Sequence, residues 1–203
     1  MESLCAVKLK RSDKAFINAY ADLLTNGCSD KIYVSDICKK AGYTTMCFYQ
    51  NYEDKNAFGK FIVDYETDLY IECIKRMNDL ILCGEATPEN FIVSGCEFFS
   101  RVYEKRNIFS CIFNDLLINS TERYIAKRVA DAIGEYIHYE EENPVKNEYL
   151  HWFLMRRYMT AYRLAERWWK NGFDCTPEEI SEIYYEICML LDSGVNLSKT
   201  ILL

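Results

Sequence analysis

Proline is scarce in this chain, with three in 203 residues, and glycine is little commoner at eight. Architectures of many short strands need frequent turn residues, so this scarcity argues against an all-β fold and for long helices. Histidine occurs twice. No Ser-His-Asp set, Walker loop or dinucleotide fingerprint is present, which leaves little acid–base machinery, and no enzyme and no cofactor is expected. No apolar run approaches the roughly 20 residues of a membrane span. The first residues, MESLCAVKLKR, hold no apolar stretch, so the expectation is a chain without a secretory signal, cytoplasmic and with no membrane partner.

What is present points the same way. Half of the residues are apolar, which suits a globular chain with a core. Ten cysteines stand at 5, 28, 38, 47, 73, 83, 96, 111, 175 and 188. None forms a C-x-x-C pair and most fall on apolar helix faces, so they read as reduced, small hydrophobes. The net charge is −7, but it is unevenly spread. Residues 1–60 hold nine Lys/Arg against seven Asp/Glu, and the remaining 143 hold 15 against 24. A mildly basic N-terminal part on an acidic body fits a head that meets a polyanion.

The prolines mark helix starts. Thr87-Pro88 and Asn143-Pro144 each place Pro at a first helical position. Thr176-Pro177-Glu178-Glu179 adds Glu for a full capping box, and Asn119-Ser120-Thr121-Glu122 is a further cap signal. Gly27, Gly42, Gly84 and Gly172 follow periodic segments and mark ends. Between these marks, Phe16, Ile17, Tyr20, Leu23 and Leu24 form one apolar stripe at helical spacing. Further helices are expected at Val34–Ala41, Thr45–Tyr52, Asn56–Cys83, 88–104, 107–117, 121–141, 146–171 and 177–193. No alternation persists over a strand length. The sequence therefore predicts an all-α protein of about nine helices, with a boundary near residues 55–65 that separates residues 1–60 from residues 61–203.

Chemistry concentrates in the stretch ICKKAGYTTMCFYQNYEDK. A short helix ends at Ala41-Gly42, where the glycine supplies a sharp turn, and Thr44 is a candidate N-cap for the next helix. That second helix can bury Phe48 and present Thr45, Met46, Tyr49 and Gln50 outward. Its first amides and Thr hydroxyls can donate to phosphate, and Lys55 adds a cation.

The run VSDICKKAGYTTMCFYQNYEDKNAF, Val34 to Phe58, resembles the DNA-binding signature of the TetR/AcrR family of transcriptional regulators. Ala41, Gly42, Thr44, Phe48, Tyr49, Tyr52, Asp54 and Lys55 match in register, and the likeness covers about residues 11–60. RLAERWWKNGFDCTPEEISEI, from Arg163, is similar to the last helices of a branch common in low-GC Gram-positive bacteria. The resemblance implies an N-terminal helix-turn-helix domain and a C-terminal body that dimerises and binds an effector. It implies that Thr44, Tyr49 and Lys55 hold the DNA backbone, with Asn51 where His or Tyr is usual. Thr45, Met46, Cys47 and Gln50 take the positions that face base edges, where Gln50 can pair with adenine and Met46 and Cys47 can meet thymine methyls. Tyr33 stands where Thr often caps the second helix, and Glu53 adds a negative charge to the link.

The last two long helices carry wide apolar faces. Trp152, Met155, Met159 and Trp169 on one, and Ile180, Ile183, Tyr184, Ile187 and Leu191 on the other, are the candidates for a homodimer interface that would set two heads on a palindromic operator. Aromatics fill the middle helices. Phe98, Tyr103, Phe113, Tyr158 and Tyr162 are the candidates for lining an effector pocket. The function expected is a repressor of transcription released by a small molecule. Two other readings are open: a metal-binding helical bundle that uses Glu135-x-x-His138 and Glu148-x-x-His151, and a helical adaptor whose head no longer binds DNA.

Overall fold

A computed structural model describes residues 9–26, 31–83, 85, 87–136 and 144–192. Its elements are α1 (Arg11–Asn26), α2 (Val34–Ala41), α3 (Thr45–Tyr49), α4 (Lys55–Leu82), α5 (Pro88–Glu104), α6 (Arg106–Phe113), α7 (Thr121–Tyr136), α8 (Pro144–Lys170) and α9 (Pro177–Asp192). Among the described residues there is no strand. The all-α class and the expected number of helices hold.

Local chemistry accounts for most of the boundaries. At α9 the capping box is complete: Glu179 N–H donates to Thr176 Oγ1 at 3.2 Å and Thr176 N–H donates to Glu179 Oε2 at 2.7 Å. At α5, Asn90 N–H donates to Thr87 Oγ1. Two ends fall short of expectation. Helix α3 stops at Tyr49 rather than Tyr52, because the chain turns there to bring the Tyr52 hydroxyl to Asp13 on α1. Helix α6 stops at Phe113 rather than 117, because Asp115 enters the left-handed region at φ 55°.

The helices group into two compact units. The first holds α1, α2, α3, the part of α4 up to Glu72, α6 and α7; the second holds α4 from Cys73, α5 up to Tyr103, α8 and α9. Helix α4 is thus shared by the two.

The first unit is built on rings. Phe16, Phe48 and Phe58 are fully buried and meet edge to face, with centroids 5.4 Å apart for Phe16–Phe48 and 5.2 Å for Phe48–Phe58. Helix α4 lies so close to the turn after α6 that a Cβ on Gly59 would stand 2.5 Å from the Leu117 carbonyl oxygen. Arg128 on α7 reaches Asp64 at 2.8 Å and Asp68 at 2.7 Å, and the Tyr124 hydroxyl donates to Asp64 at 2.6 Å. These contacts tie α7 to α4.

The second unit has its own aromatic core. Trp168 is buried against Phe99 and Phe173 and donates its indole N–H to the Cys175 carbonyl at 3.1 Å. Helices α5 and α9 approach closely where Gly95 faces Ser181, whose hydroxyl donates to the Ile92 carbonyl at 2.7 Å.

Candidate nucleic-acid interface

The corner between α2 and α3 is fixed by its backbone. Gly42 ends α2 in the left-handed conformation, φ 75°, which a residue with a Cβ adopts at a cost. Tyr43 N–H donates to the Cys38 carbonyl at 3.0 Å and Gly42 N–H to the Lys39 carbonyl at 3.4 Å, which closes the end of the helix. Thr44 caps α3, its Oγ1 accepting from Cys47 N–H at 3.3 Å.

One side chain orients α3. Phe48 is wholly buried among Phe16, Tyr52 and Phe58, so the opposite side of this short helix is held outward. Met46 is 72% exposed and Tyr49 56% exposed, and Thr44, Thr45, Gln50 and Asn51 are also exposed. Large apolar and aromatic groups held in solvent by a rigid core are unusual unless they meet a partner. Cys47 is half-buried. Cys38, buried beneath it on α2, has its thiol pushed up by desolvation, with a smaller contribution from Cys47.

The flanks are tied down by charge. Buried Asp13, in the first turn of α1, accepts the Tyr52 hydroxyl at 2.9 Å on one oxygen and the Lys10 N–H at 2.9 Å on the other. Burial, then the hydrogen bond to Asp13 and its charge, push the Tyr52 phenol well above its ordinary value, so it stays a donor. The Lys10 ammonium donates to Asn51 Oδ1 at 2.8 Å, and Asn51 Nδ2 donates to the Cys47 carbonyl at 3.0 Å. Asn51, at the position where the resembled signature usually carries His or Tyr, therefore has a lysine beside it. Lys55, half-buried at the start of α4, donates to the Ile32 carbonyl at 3.0 Å just before α2. Asp54 caps α4 by accepting Ala57 N–H at 2.7 Å, while Glu53 stays exposed. Exposed Tyr33 precedes α2, and its N–H donates to Asp36 Oδ2 at 2.8 Å.

The eight residues expected to meet DNA thus lie in one continuous segment, six exposed and two half-buried. Lys10 was missed. It lies 41 positions from Asn51 in sequence, and only the basic run Lys8-Leu9-Lys10-Arg11 hinted at it.

The body residues are distributed differently. Phe98, Tyr158 and Tyr162 are buried in the second unit, and Tyr103 is half out of its surface, stacked on Trp168. Phe113 belongs to the first unit, beside Phe109. The Tyr158 hydroxyl donates to Asn78 Oδ1 at 2.8 Å, while the buried Asn78 Nδ2 has no acceptor among the described residues. Of the expected dimer face, Trp152 is 68% exposed and Ile183 is exposed, with Met155, Met159, Trp169 and Ile187 half-buried. Ile180 and Tyr184 turn into the second unit's own core, where Tyr184 packs on Phe91 and Phe99. The Leu191 and His151 side chains and all of His138 lie outside the described residues. Among the described residues no group of His, Cys, Asp and Glu could hold a metal ion, and no helix is long and apolar enough to cross a membrane.

No family model matches this sequence, and no curated protein matches it. Solved structures do. A TetR family transcription regulator from Marinobacter aquaeolei VT8 is 21% identical, with 90% of this chain and 94% of that one covered at a TM-score of 0.55. The fatty acid degradation regulator FadR from Bacillus halodurans is 14% identical over 93% of this chain and 98% of its own, at 0.58. A TetR-family transcriptional regulator from Bordetella parapertussis 12822 is 14% identical, with coverages of 90% and 95%, at 0.53. The chain therefore has the fold of TetR-family transcription regulators, over nearly its whole length, as the motif in residues 34–58 implies.

Proposed function

We propose that this chain is a TetR-like, DNA-binding transcriptional regulator and not an enzyme. The observation that carries the reading is the outward array of α3: Thr44, Thr45, Met46, Tyr49, Gln50 and Asn51 exposed on a helix whose opposite side is locked by Phe48. Residues 1–60 are the DNA-binding part, and residues 61–203 the part that dimerises and senses an effector.

In this reading Thr44, Tyr49 and Lys55 hold phosphates, and Lys10 with Asn51 adds a charged contact beside them. Thr45, Met46, Cys47 and Gln50 face base edges. The chain acts as a cytoplasmic homodimer on a palindromic operator. Exposed Trp152 and Ile183, with Met155, Met159, Trp169, Ile187 and Leu191, supply the apolar contact between copies, and Ile180 and Tyr184 support that face from beneath. The effector is a small molecule that binds better to the DNA-incompetent arrangement and so releases a repressor. Phe98, Tyr103, Tyr158 and Tyr162, all of the second unit, are its candidate contacts. The buried Nδ2 of Asn78 beside the Tyr158 hydroxyl supports an effector that brings a hydrogen-bond acceptor.

The test is selection of bound duplexes from a random DNA library at near-physiological salt. An enriched palindrome whose affinity falls steeply with salt is the expected result. A folded, dimeric protein that enriches no sequence would overturn the reading in favour of an adaptor.

A further inference from the structure

A cleft of about 380 Å³ opens in the second unit, where the end of α4 faces the start of α5. Helix α4 gives it Asp79, Leu80 and Cys83, and α5 gives Val93, Ser94 and Glu97, in each case positions that share one helix face. Phe98, Tyr158 and Tyr162 do not line it. The volume is near the lower end of ligand pockets, which run from roughly 300 to 1,000 Å³.

One buried polar group is left open there. Ser94 is 9% exposed, and its hydroxyl makes no hydrogen bond among the described residues. That oxygen is not sealed in the core, so the access it keeps is to the cleft it lines. Apolar surface stands uncovered beside it. Val93 is 63% exposed, and Leu80 and exposed Cys83 face it from α4. An unused hydroxyl next to bare apolar groups is what a bound molecule with a polar end and an apolar body would satisfy.

The mouth of the cleft is braced. Glu85, in the turn between the helices, donates its N–H to the Leu80 carbonyl at 2.9 Å. Its own carbonyl accepts Thr87 N–H at 2.8 Å and Asn90 Nδ2 at 2.8 Å. The Glu85 carboxylate is thereby held on the rim, and it has no ion pair or hydrogen bond among the described residues. Polar groups on a fixed frame bind without the cost of ordering them.

Charge selects the ligand. Three carboxylates line the cleft, Asp79, Glu85 and Glu97, against one guanidinium, Arg76, which is ion-paired to Glu97. That excess repels an anion and attracts a cation. A second copy of this chain, with net charge −7, brings the same sign. Among the described residues no group of His, Cys, Asp and Glu could hold a metal ion. An organic cation fits both the charge and the apolar wall. We propose that this cleft binds a small amphipathic ammonium ion, a primary amine with one apolar group, its ammonium at the Glu85 carboxylate and the Ser94 hydroxyl oxygen and its apolar group against Leu80 and Val93. The site stands whether or not the chain binds DNA.

The test uses the full chain and four probes of related shape, read by calorimetry and thermal shift: 2-phenylethylammonium, 2-phenylethanol, phenylacetate and methylammonium. The first binds with a Kd of about 1 mM or tighter. The alcohol and the carboxylate, which lack the positive charge, and methylammonium, which lacks the apolar group, bind at least about tenfold more weakly. Ser94→Ala folds as the wild type does, since the hydroxyl has no internal partner, yet it loses about three- to tenfold in affinity for 2-phenylethylammonium. Glu85→Gln, at an exposed position, weakens binding about two- to fivefold, and added salt abolishes that difference. No binding of 2-phenylethylammonium, equal binding of any of the other three probes, or unchanged affinity in both variants would overturn the proposal.

Discussion

Two buried tyrosine hydroxyls, one in each unit, sit in opposite circumstances. Tyr52 in the first unit donates to Asp13, whose other oxygen takes the Lys10 N–H, so both carboxylate oxygens and the Tyr52 hydroxyl are matched. Tyr158 in the second unit donates to Asn78, whose Nδ2 has no acceptor among the described residues. On the function proposed above, the contrast separates a reader from a sensor. A surface that recognises a fixed partner gains from a core that holds it still. A body that takes up a ligand gains from an interior with a hydrogen bond left to make.

The comparison can be broken at several points. Phe48→Ala should cost the most, about 3–5 kcal/mol in urea unfolding, because a ring that fixes α3 is replaced by a cavity; a cost under 1 kcal/mol would mean that the reader is not held by its core. Tyr52→Phe removes a hydrogen bond to a buried carboxylate and should cost about 1.5–3 kcal/mol, whereas Tyr158→Phe removes a bond between neutral groups and should cost about 0.5–1.5 kcal/mol. Equal costs in the same experiment would erase the distinction drawn here. Gly59→Ala places a Cβ against the Leu117 backbone oxygen and should destabilise by about 1–3 kcal/mol; a neutral result would show that the turn after α6 yields.

The mildest effect concerns alkaline pH. Burial raises the Cys111 thiol from 9.0 to about 12 and the Tyr20 phenol from 10.0 to about 12. A folded value above the unfolded one gives stability that is complete below the unfolded value and is lost as pH rises through the folded one. The melting temperature should therefore hold up to about pH 9 and fall from there towards pH 12. Cys111→Ala combined with Tyr20→Phe should flatten that part of the fall.

What the sequence revealed was what neighbours along the chain decide. The turn at Gly42, the Thr44 cap, the capping box of Thr176 and Glu179 and the outward face of α3 all follow from residues a few positions apart. The exposure of most of the candidate segment was readable for the same reason, since all eight of its residues fall within 44–55. What escaped depends on contacts across long separations. Lys10 reaches Asn51 over 41 positions and Asp13 meets Tyr52 over 39, and neither pairing has a local signal. The early end of α3 follows from the second of these. The inward turn of Ile180 and Tyr184 was hidden because an apolar helix face reads alike whether it meets the chain's own core or a second copy.

The most direct measurement is the salt dependence of affinity for the selected duplex, for the wild type, Tyr49→Ala and Lys55→Ala, with each variant's fold checked first. Tyr49→Ala should weaken binding to all sequences alike, on the order of tenfold. Lys55→Ala should weaken it similarly and lower the salt slope by about one. Unchanged affinity and slope in both variants would contradict the account, because the exposed face of α3 and the cation beside it would then not meet DNA.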